Sequence, residues 1–391
     1  MAIYKYYAPT EVVFGKDAEN QVGALVKKWG GSRVLVHYGG QSAIKSGLLD
    51  RVVKSLEEQN LSVVLLGGVV PNPRLSKVRE GISLGRSQKI DFILAVGGGS
   101  VIDSSKAIGY GLANSGDVWD FYAKKRMPQS CIPLGAVLTI AAAGSEMSNS
   151  SVITNEEGWL KRGCSSDLGR CKFAVMNPEL TYSLPDYQTA SGCTDIMMHT
   201  LERYFTNEER MDITDELAEG LLRSVIRNAR ILKDNPQDYT ARANIMWSGS
   251  LSHNDLTHFG SNRGDWACHQ LEHELGGMFD VAHGAGLAAV WGTWARYVCE
   301  SNLPRFARYA RHVWDIAEEN DGKAAQKGIA ATENFFREIG MPTSLTELGL
   351  NPTAEELDTL AFKCSFENTR TIGDIRKLGL TQIREIYEKA R

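Results

Sequence analysis

Twenty residues, DWACHQLEHELGGMFDVAHG (265–284), hold three of the chain's eight histidines, and five of the eight fall between His253 and His283. His269 and His273 stand four apart, which on a helix stacks them on one face. The same interval separates Asp195 from His199 in SGCTDIMMHTLERYF, with Glu202 further along that stripe. One aspartate with three histidines is a mixed oxygen and nitrogen donor set suited to a first-row divalent cation, Fe2+ or Zn2+. A single His pair at this spacing usually lies on a wet surface or serves a core hydrogen bond. Two such pairs and a further histidine, in a chain poor in histidine, point to a metal, although spacing alone does not say which histidines ligate it. Glu202 is either a hydrogen-bond partner of His199 or a nearby group, or a solvated helix glutamate. His37, His253, His258 and His312 are read as structural or solvated, and Cys268 as a small buried apolar residue.

A second constellation is DFILAVGGGSVIDSSKAIG (91–109), where three glycines close a strand and open a helix. Gly97, Gly98 and Gly99 let the backbone approach an anion, and the new helix turns free N–H groups toward it. Ser100 is expected to cap that helix and to donate to a phosphate oxygen. The turn is not a G-x-G-x-x-G fingerprint. After the preceding strand, VLVHYGGQSAIKSG carries no carboxylate where a fold selective for NAD would place one on the adenine ribose. Gly39, Gly40 and Ser42 leave room for a 2′-phosphate that Ser42 can hydrogen-bond and Lys45 can offset, which favours NADP(H) over NAD(H).

These groups need scaffolding, and the two halves of the chain supply different kinds. RVLVHY (33–38), LSVVLL (61–66), DFILAV (91–96) and CIPLGAVLTI (131–140) read as buried strands. Helical segments such as SAIKSGLLDRVVKSLEEQ alternate with them, which predicts βαβ units and a doubly wound, mostly parallel, Rossmann-like sheet. After about Pro185 the apolar residues recur at three- and four-residue steps, as in DITDELAEGLLRSVIRNARILKD and PRFARYARHVWDIAEE. The expected organisation is an α/β nucleotide-binding domain over 1–185 and an all-α metal-binding domain over 186–391. In the helix that bears His269 and His273, the stripe Ala267, Leu271, Leu275 and Met278 lies opposite the histidines, so that helix is expected to be buried.

Composition narrows the classes. With 391 residues, 43% apolar and 23% charged, the chain fits a soluble protein of two domains. A net charge of −4 without a Lys/Arg block argues against nucleic acid as a partner. No apolar run is long enough to span a bilayer, and the first residues lack a signal-peptide pattern. Seven cysteines, an odd number with no Cys-x-x-Cys pair, suit a reducing cytoplasm and offer no thiolate zinc cage.

VVPNP (69–73), GGGSVIDSSK (97–106), AAGSEMS (142–148), DIMMHTLE (195–202) and GDWACHQLEHELGGMFDVAHGAGLA (264–288) together resemble the iron-containing (group III) alcohol dehydrogenases, end to end. Within that family they look most like the butanol dehydrogenase and NADPH-dependent aldehyde reductase branch. The resemblance implies a dehydroquinate synthase-like architecture and a homodimer. It implies Asp195, His199, His269 and His283 as metal ligands, and His273 beside the substrate and nicotinamide, orienting the one or relaying a proton. It also implies that Gly97, Gly98, Gly99 and Ser100 hold the pyrophosphate, that Asp103 lies toward the nicotinamide, that Asn72, Thr139, Leu180 and Ser183 line the cofactor site, and that Lys161 contacts a ribose.

The expected reaction is hydride transfer between a nicotinamide and a short-chain primary alcohol or aldehyde such as butanol or butanal. One alternative is a dehydrogenase dedicated to a functionalised aldehyde such as lactaldehyde or a sulfonated aldehyde. Another is a lyase of the dehydroquinate synthase kind, using NAD transiently. Such an enzyme needs several cations around its metal, whereas 253–283 offers only Arg263 as a permanent one.

Overall fold

The β-branched runs of the first half form one parallel sheet. The structure, a computed structural model, describes residues 3–261 and 264–391. Its strands are β1 (Glu11–Phe14), β2 (Arg33–Tyr38), β3 (Ser62–Leu66), β4 (Phe92–Gly97), β5 (Leu134–Leu138) and β8 (Phe173–Met176), in the spatial order β1-β8-β5-β4-β2-β3. All neighbours pair in parallel. β4, β5 and β8 are buried along their whole length, which is why they read as unbroken apolar runs without alternation. Helices α1 (Val22–Lys28), α2 (Ser42–Lys45), α3 (Leu48–Glu57), α4 (Leu75–Ser87), α5 (Gly99–Ala113) and α6 (Trp119–Tyr122) belong to the same unit, Tyr7–Leu184. The segment 42–59 is two helices, because Gly47 adopts a left-handed φ of 67° between α2 and α3.

A feature without a clear periodic signal is the antiparallel hairpin β6 (Ser150–Asn155) and β7 (Leu160–Ser165). Its turn reverses at Gly158 with φ 77°. It stands apart from the main sheet and is tied to the loop after β3, where the Thr154 N–H donates to the Pro73 carbonyl at 2.8 Å.

Order along the sheet decides where ligands can reach it. From β2 the chain moves outward to β3, then returns to the other side of β2 as β4. The connection thus reverses direction between β2 and β4, and the carboxyl ends of such a strand pair form the usual crevice of an open α/β sheet.

His37 is buried on β2. Its Nδ1 donates to the Leu66 carbonyl at 2.8 Å, and its Nε2 accepts from Ser104 Oγ at 2.9 Å, a tautomer the carbonyl dictates. Burial pulls its pKa from 6.5 down to about 4, against the pull of the Leu66 bond. The imidazole therefore stays neutral in the fold while the unfolded chain takes up a proton below pH 6.5. Its contribution to stability is whole above pH 6.5 and is lost as pH falls toward 4. The loss is about 2 kcal/mol at pH 5 and about 3 kcal/mol at pH 4. His37→Asn should therefore show a flatter fall in urea midpoint between pH 7 and pH 5 than the parent. Parallel slopes would contradict the assignment.

The second unit, Pro185–Arg391 with the N-terminal residues 3–6, is helical. It contains α7 (Asp186–Tyr204), α8 (Asp212–Asp234), α9 (Tyr239–His253), α10 (Ala267–Phe279), α11 (His283–Val298), α12 (Leu303–Trp314), α13 (Asp321–Glu338), α14 (Ala354–Cys364) and α15 (Leu380–Lys389). Among its described residues there is no strand beyond an isolated bridge, Ile372 to Leu378. α7 is buried without interruption from Ala190 to Tyr204, packed against α8, α9 and α11. Among the described residues no helix is long and apolar enough to cross a membrane.

Candidate metal centre and nucleotide turn

α7 carries Asp195 and His199 one turn apart and brings Asp195 Oδ1 to 3.2 Å from His199 Nδ1. α10 supplies His269, whose Nε2 stands 3.8 Å from the same oxygen. Asp280, with φ 53°, ends α10 and lets the chain reverse into α11, whose first residue is His283. His283 Nε2 lies 3.7 Å from Asp195 Oδ1. Ligand atoms bound at about 2.1 Å in a tetrahedron are separated by roughly 3.4 Å, so all three distances suit donors around one cation.

Asp195 Oδ1, His199 Nδ1 and His269 Nε2 are buried and make no hydrogen bond. Buried polar atoms rarely go unsatisfied, and three in one cluster fit a bound cation as their missing partner. Asp195, His199 and His269 form a group with mutual separations within 4.8 Å, and His283 flanks it with its side chain 27% exposed. His273 does not enter the group. It is half-buried, with its ring 6.0 Å from that of His283.

Electrostatics support the same arrangement. Burial, with His269, Arg203 and His283 nearby, pushes His199 well below its ordinary pKa, so its lone pair is free. Burial also raises the Asp195 carboxyl, but His283 and His269 more than offset this and hold it below the ordinary value. Burial pushes His269 down too, yet Asp195 and Glu202 overcome that and lift it to about 9. A ring between two carboxylates holds a proton that a divalent cation would displace, since a ligand imidazole must be neutral.

Glu202 is not a solvated helix glutamate. It is buried, and its Oε1 accepts from both the His269 backbone N–H at 2.9 Å and His269 Nδ1 at 3.1 Å. Its partner is His269 rather than His199. Glu272, also buried, accepts from His283 Nδ1. His253 packs its ring 4.1 Å from His199, and Arg203 donates to the His199 carbonyl at 2.9 Å while lying over Trp266. From the sequence, Glu272 and Arg203 have no assigned role and His253 is read only as structural or solvated. The one available signal was a carboxylate, Glu272, inside a helix already expected to be buried. Arg263, the cation singled out in the sequence, lies outside the described residues.

Several expected nucleotide contacts sit at the carboxyl ends of the strands. Gly39, Gly40 and Ser42 follow β2, and Gly97–Ser100 close β4, whose Val96 pairs with Tyr38 of β2. Thr139 follows β5 and donates its N–H to the Gly97 carbonyl at 3.1 Å. Asn72 lies in the loop after β3 with φ 53°, and Leu180 and Ser183 follow β8. Lys161 is on β7, opposite Thr154, so the hairpin connects it to the loop that carries Asn72. Gly98 leaves little space for a side chain: a Cβ there would stand 3.1 Å from Ile140, which would have to give way slightly.

Ser100 is not the helix cap. Gly98, in extended conformation, occupies that position without a side-chain bond, and α5 begins at Gly99, leaving Ser100 in the first turn. Asp103 accepts from Ser145 Oγ at 2.5 Å and from the Val152 N–H at 2.8 Å. Lys106, which sequence reasoning left without a role, is fully buried on the same helix.

A parallel sheet with its loops gathered at a switch point, and a helical unit with a buried carboxylate–imidazole cluster, are the parts of an enzyme that uses a nucleotide and a divalent cation. Residues 9–178 match the model of the iron-containing alcohol dehydrogenase family, and residues 189–391 match the model of its C-terminal domain. NADH-dependent butanol dehydrogenase A of Clostridium acetobutylicum is 38% identical over 392 residues, covering 100% of both chains. The NADPH-dependent aldehyde reductase YqhD of Escherichia coli is 34% identical over 99% of both. The crystal structure of NADH-dependent butanol dehydrogenase A from Thermotoga maritima superposes with a TM-score of 0.96 at 36% identity, covering 100% of this chain and 99% of that one. The chain belongs to the iron-containing alcohol dehydrogenase family and is one of its oxidoreductases.

Proposed function

We propose that this enzyme interconverts short-chain aldehydes and primary alcohols, butanal and butanol among them, by hydride transfer to and from a nicotinamide dinucleotide. Asp195, His199, His269 and His283 would hold one divalent cation, Fe2+ or Zn2+. The observation that carries this reading is the convergence of three imidazole nitrogens on Asp195 Oδ1. Bound there, the cation supplies Lewis acidity, which polarises a carbonyl and eases ionisation of an alcohol near neutral pH. His273, half-buried beside His283, would orient the substrate or relay its proton. The backbone of Gly97, Gly98 and Gly99 and the first turn of α5 would receive the pyrophosphate. Asp103 would work through the loop it fastens, as a positioning residue. The odd number of cysteines, without a Cys-x-x-Cys pair, suits a cytoplasmic enzyme, and we read it as a homodimer on the family resemblance.

The test follows NADPH and NADH at 340 nm with butanal, other short aldehydes, lactaldehyde and a sulfonated aldehyde. Enzyme is stripped by chelator and reloaded with Fe2+ or Zn2+. Metal-restored net oxidation of the coenzyme supports the dehydrogenase. Absence of net oxidation with every aldehyde, metal bound, would hand the case to a lyase that returns its NAD.

For the coenzyme, we propose that NADP(H) is favoured over NAD(H), on the strength of the acid-free turn Gly39–Ser42. The turn is open: a Cβ at Gly39 would make only ordinary contacts, 3.6 Å to the Val69 carbonyl and 3.8 Å to Val101. Gly39→Asp should therefore fit, bind the ribose hydroxyls and repel a 2′-phosphate. We expect the kcat/KM ratio of NADPH to NADH to fall by about 10- to 100-fold. An unchanged ratio would show that the 2′ position is read elsewhere.

A further inference from the structure

We infer that Glu202 and Glu272 are positioning residues of the metal centre, each clamping Nδ1 of one ligand histidine so that its Nε2 is left to face Asp195. This rests on the metal assignment above. Once Nδ1 of a ring donates to a carboxylate, the lone pair resides on Nε2 and the ring plane is fixed. Those are the atoms found 3.8 Å and 3.7 Å from Asp195 Oδ1, in His269 and His283. His199 differs, because it presents Nδ1 and its orientation comes from the helical spacing to Asp195.

The two clamps form a series through the helices. Glu202 of α7 holds His269 of α10, and Glu272 of α10 holds His283 of α11. The chain makes room for the second clamp. A Cβ at Gly286, one turn into α11, would lie 2.9 Å from Glu272 Cγ. Glu202 and Glu272 are only 2% and 0% exposed. Ionised carboxylates at that depth are costly unless paired, and the pairing found here is with the two rings that a cation would polarise toward them.

The test is Zn2+ affinity of the apo protein, by competition with a chromophoric chelator, for the parent, E202Q and E272Q. Glutamine keeps the volume and an acceptor but removes the charge. We expect each variant to bind Zn2+ about 10- to 100-fold more weakly. The visible absorption of a Co2+ substitute should also shift, a signature a merely structural hydrogen bond would not produce. Affinities within about threefold of the parent in both variants would overturn the inference. If E272Q does not fold, G286A displaces Glu272 without touching its charge and should weaken Zn2+ in the same direction; parental affinity there overturns the Glu272 clamp. A parent that fails to bind Zn2+, or a D195N variant that binds it normally, would instead overturn the metal assignment.

Discussion

Asp195→Asn is expected to lower kcat/KM for aldehyde reduction by roughly a thousandfold or more, with loss of bound metal. The substitution is nearly isosteric, so packing around α7 is retained. What changes is the charge of the atom on which His199, His269 and His283 converge at 3.2, 3.8 and 3.7 Å. A neutral amide is a poor ligand, and its NH2 group turned toward the rings would compete for the same lone pairs. Metal content per chain and the rate at 340 nm should fall together. The apo variant should also lose some stability, because in the apo parent His283 and His269 favour the Asp195 carboxylate despite its burial. Retained metal with a rate within tenfold of the parent would sink the centre as drawn.

The second large effect is expected at Lys106, where the loss should appear in stability and nucleotide binding. Its Nζ, fully buried, donates to the carbonyls of Ser145 at 2.7 Å, Ser148 at 3.0 Å and Ser150 at 2.7 Å. Burial pulls its pKa below the ordinary value, while Cys171, Asp103 and Glu146 work the other way. This one ammonium group fastens the segment 145–150, and Ala143 just before it stands against the glycine turn. A Cβ at Gly99 would lie only 3.0 Å from that of Ala143. Lys106→Met keeps the chain length and removes the donor, leaving three carbonyls to find other partners. At ~1.5–3 kcal/mol for each bond to a charged group, partly recovered by water, the cost is about 3 kcal/mol. For a unit of this size that corresponds to a drop of roughly 6–12 °C in Tm. Calorimetry should show it in one transition, and the NADPH Kd should rise by about tenfold or more. A Tm within about 2 °C of the parent would show that the loop holds itself.

Much of this was legible in the sequence because it depends on local spacing. Asp195 and His199 are one helical turn apart, so their proximity follows from periodicity. The glycine turn is recognisable because a buried run such as DFILAV ends in residues without side chains. The clamps are different in kind. Glu202 and His269 are 67 residues apart, and nothing in either segment says they meet. Which nitrogen of each ring faces Asp195 depends on that meeting, so spacing could not divide the histidines by role. For a local reason Ser100 does not cap the helix: the extended backbone ends at Gly98, two residues earlier than a serine cap requires. Hairpin β6–β7 was passed over because its half-buried residues lack the long apolar run of the core strands.

The sheet itself has a further consequence. The expected coenzyme contacts follow the carboxyl ends of its strands or, like Lys161, connect through the hairpin to one of those loops. The opposite rim, where the chain enters β2, β3 and β4 through the short links around Gly31, Asn60 and Lys89, carries none of them. The unit thus separates a working edge from a maintenance edge. Changes in the second edge can alter how firmly the fold holds, by relaxing the left-handed Asn60 and Lys89 for example, while the first stays free to take on new partners for its chemistry.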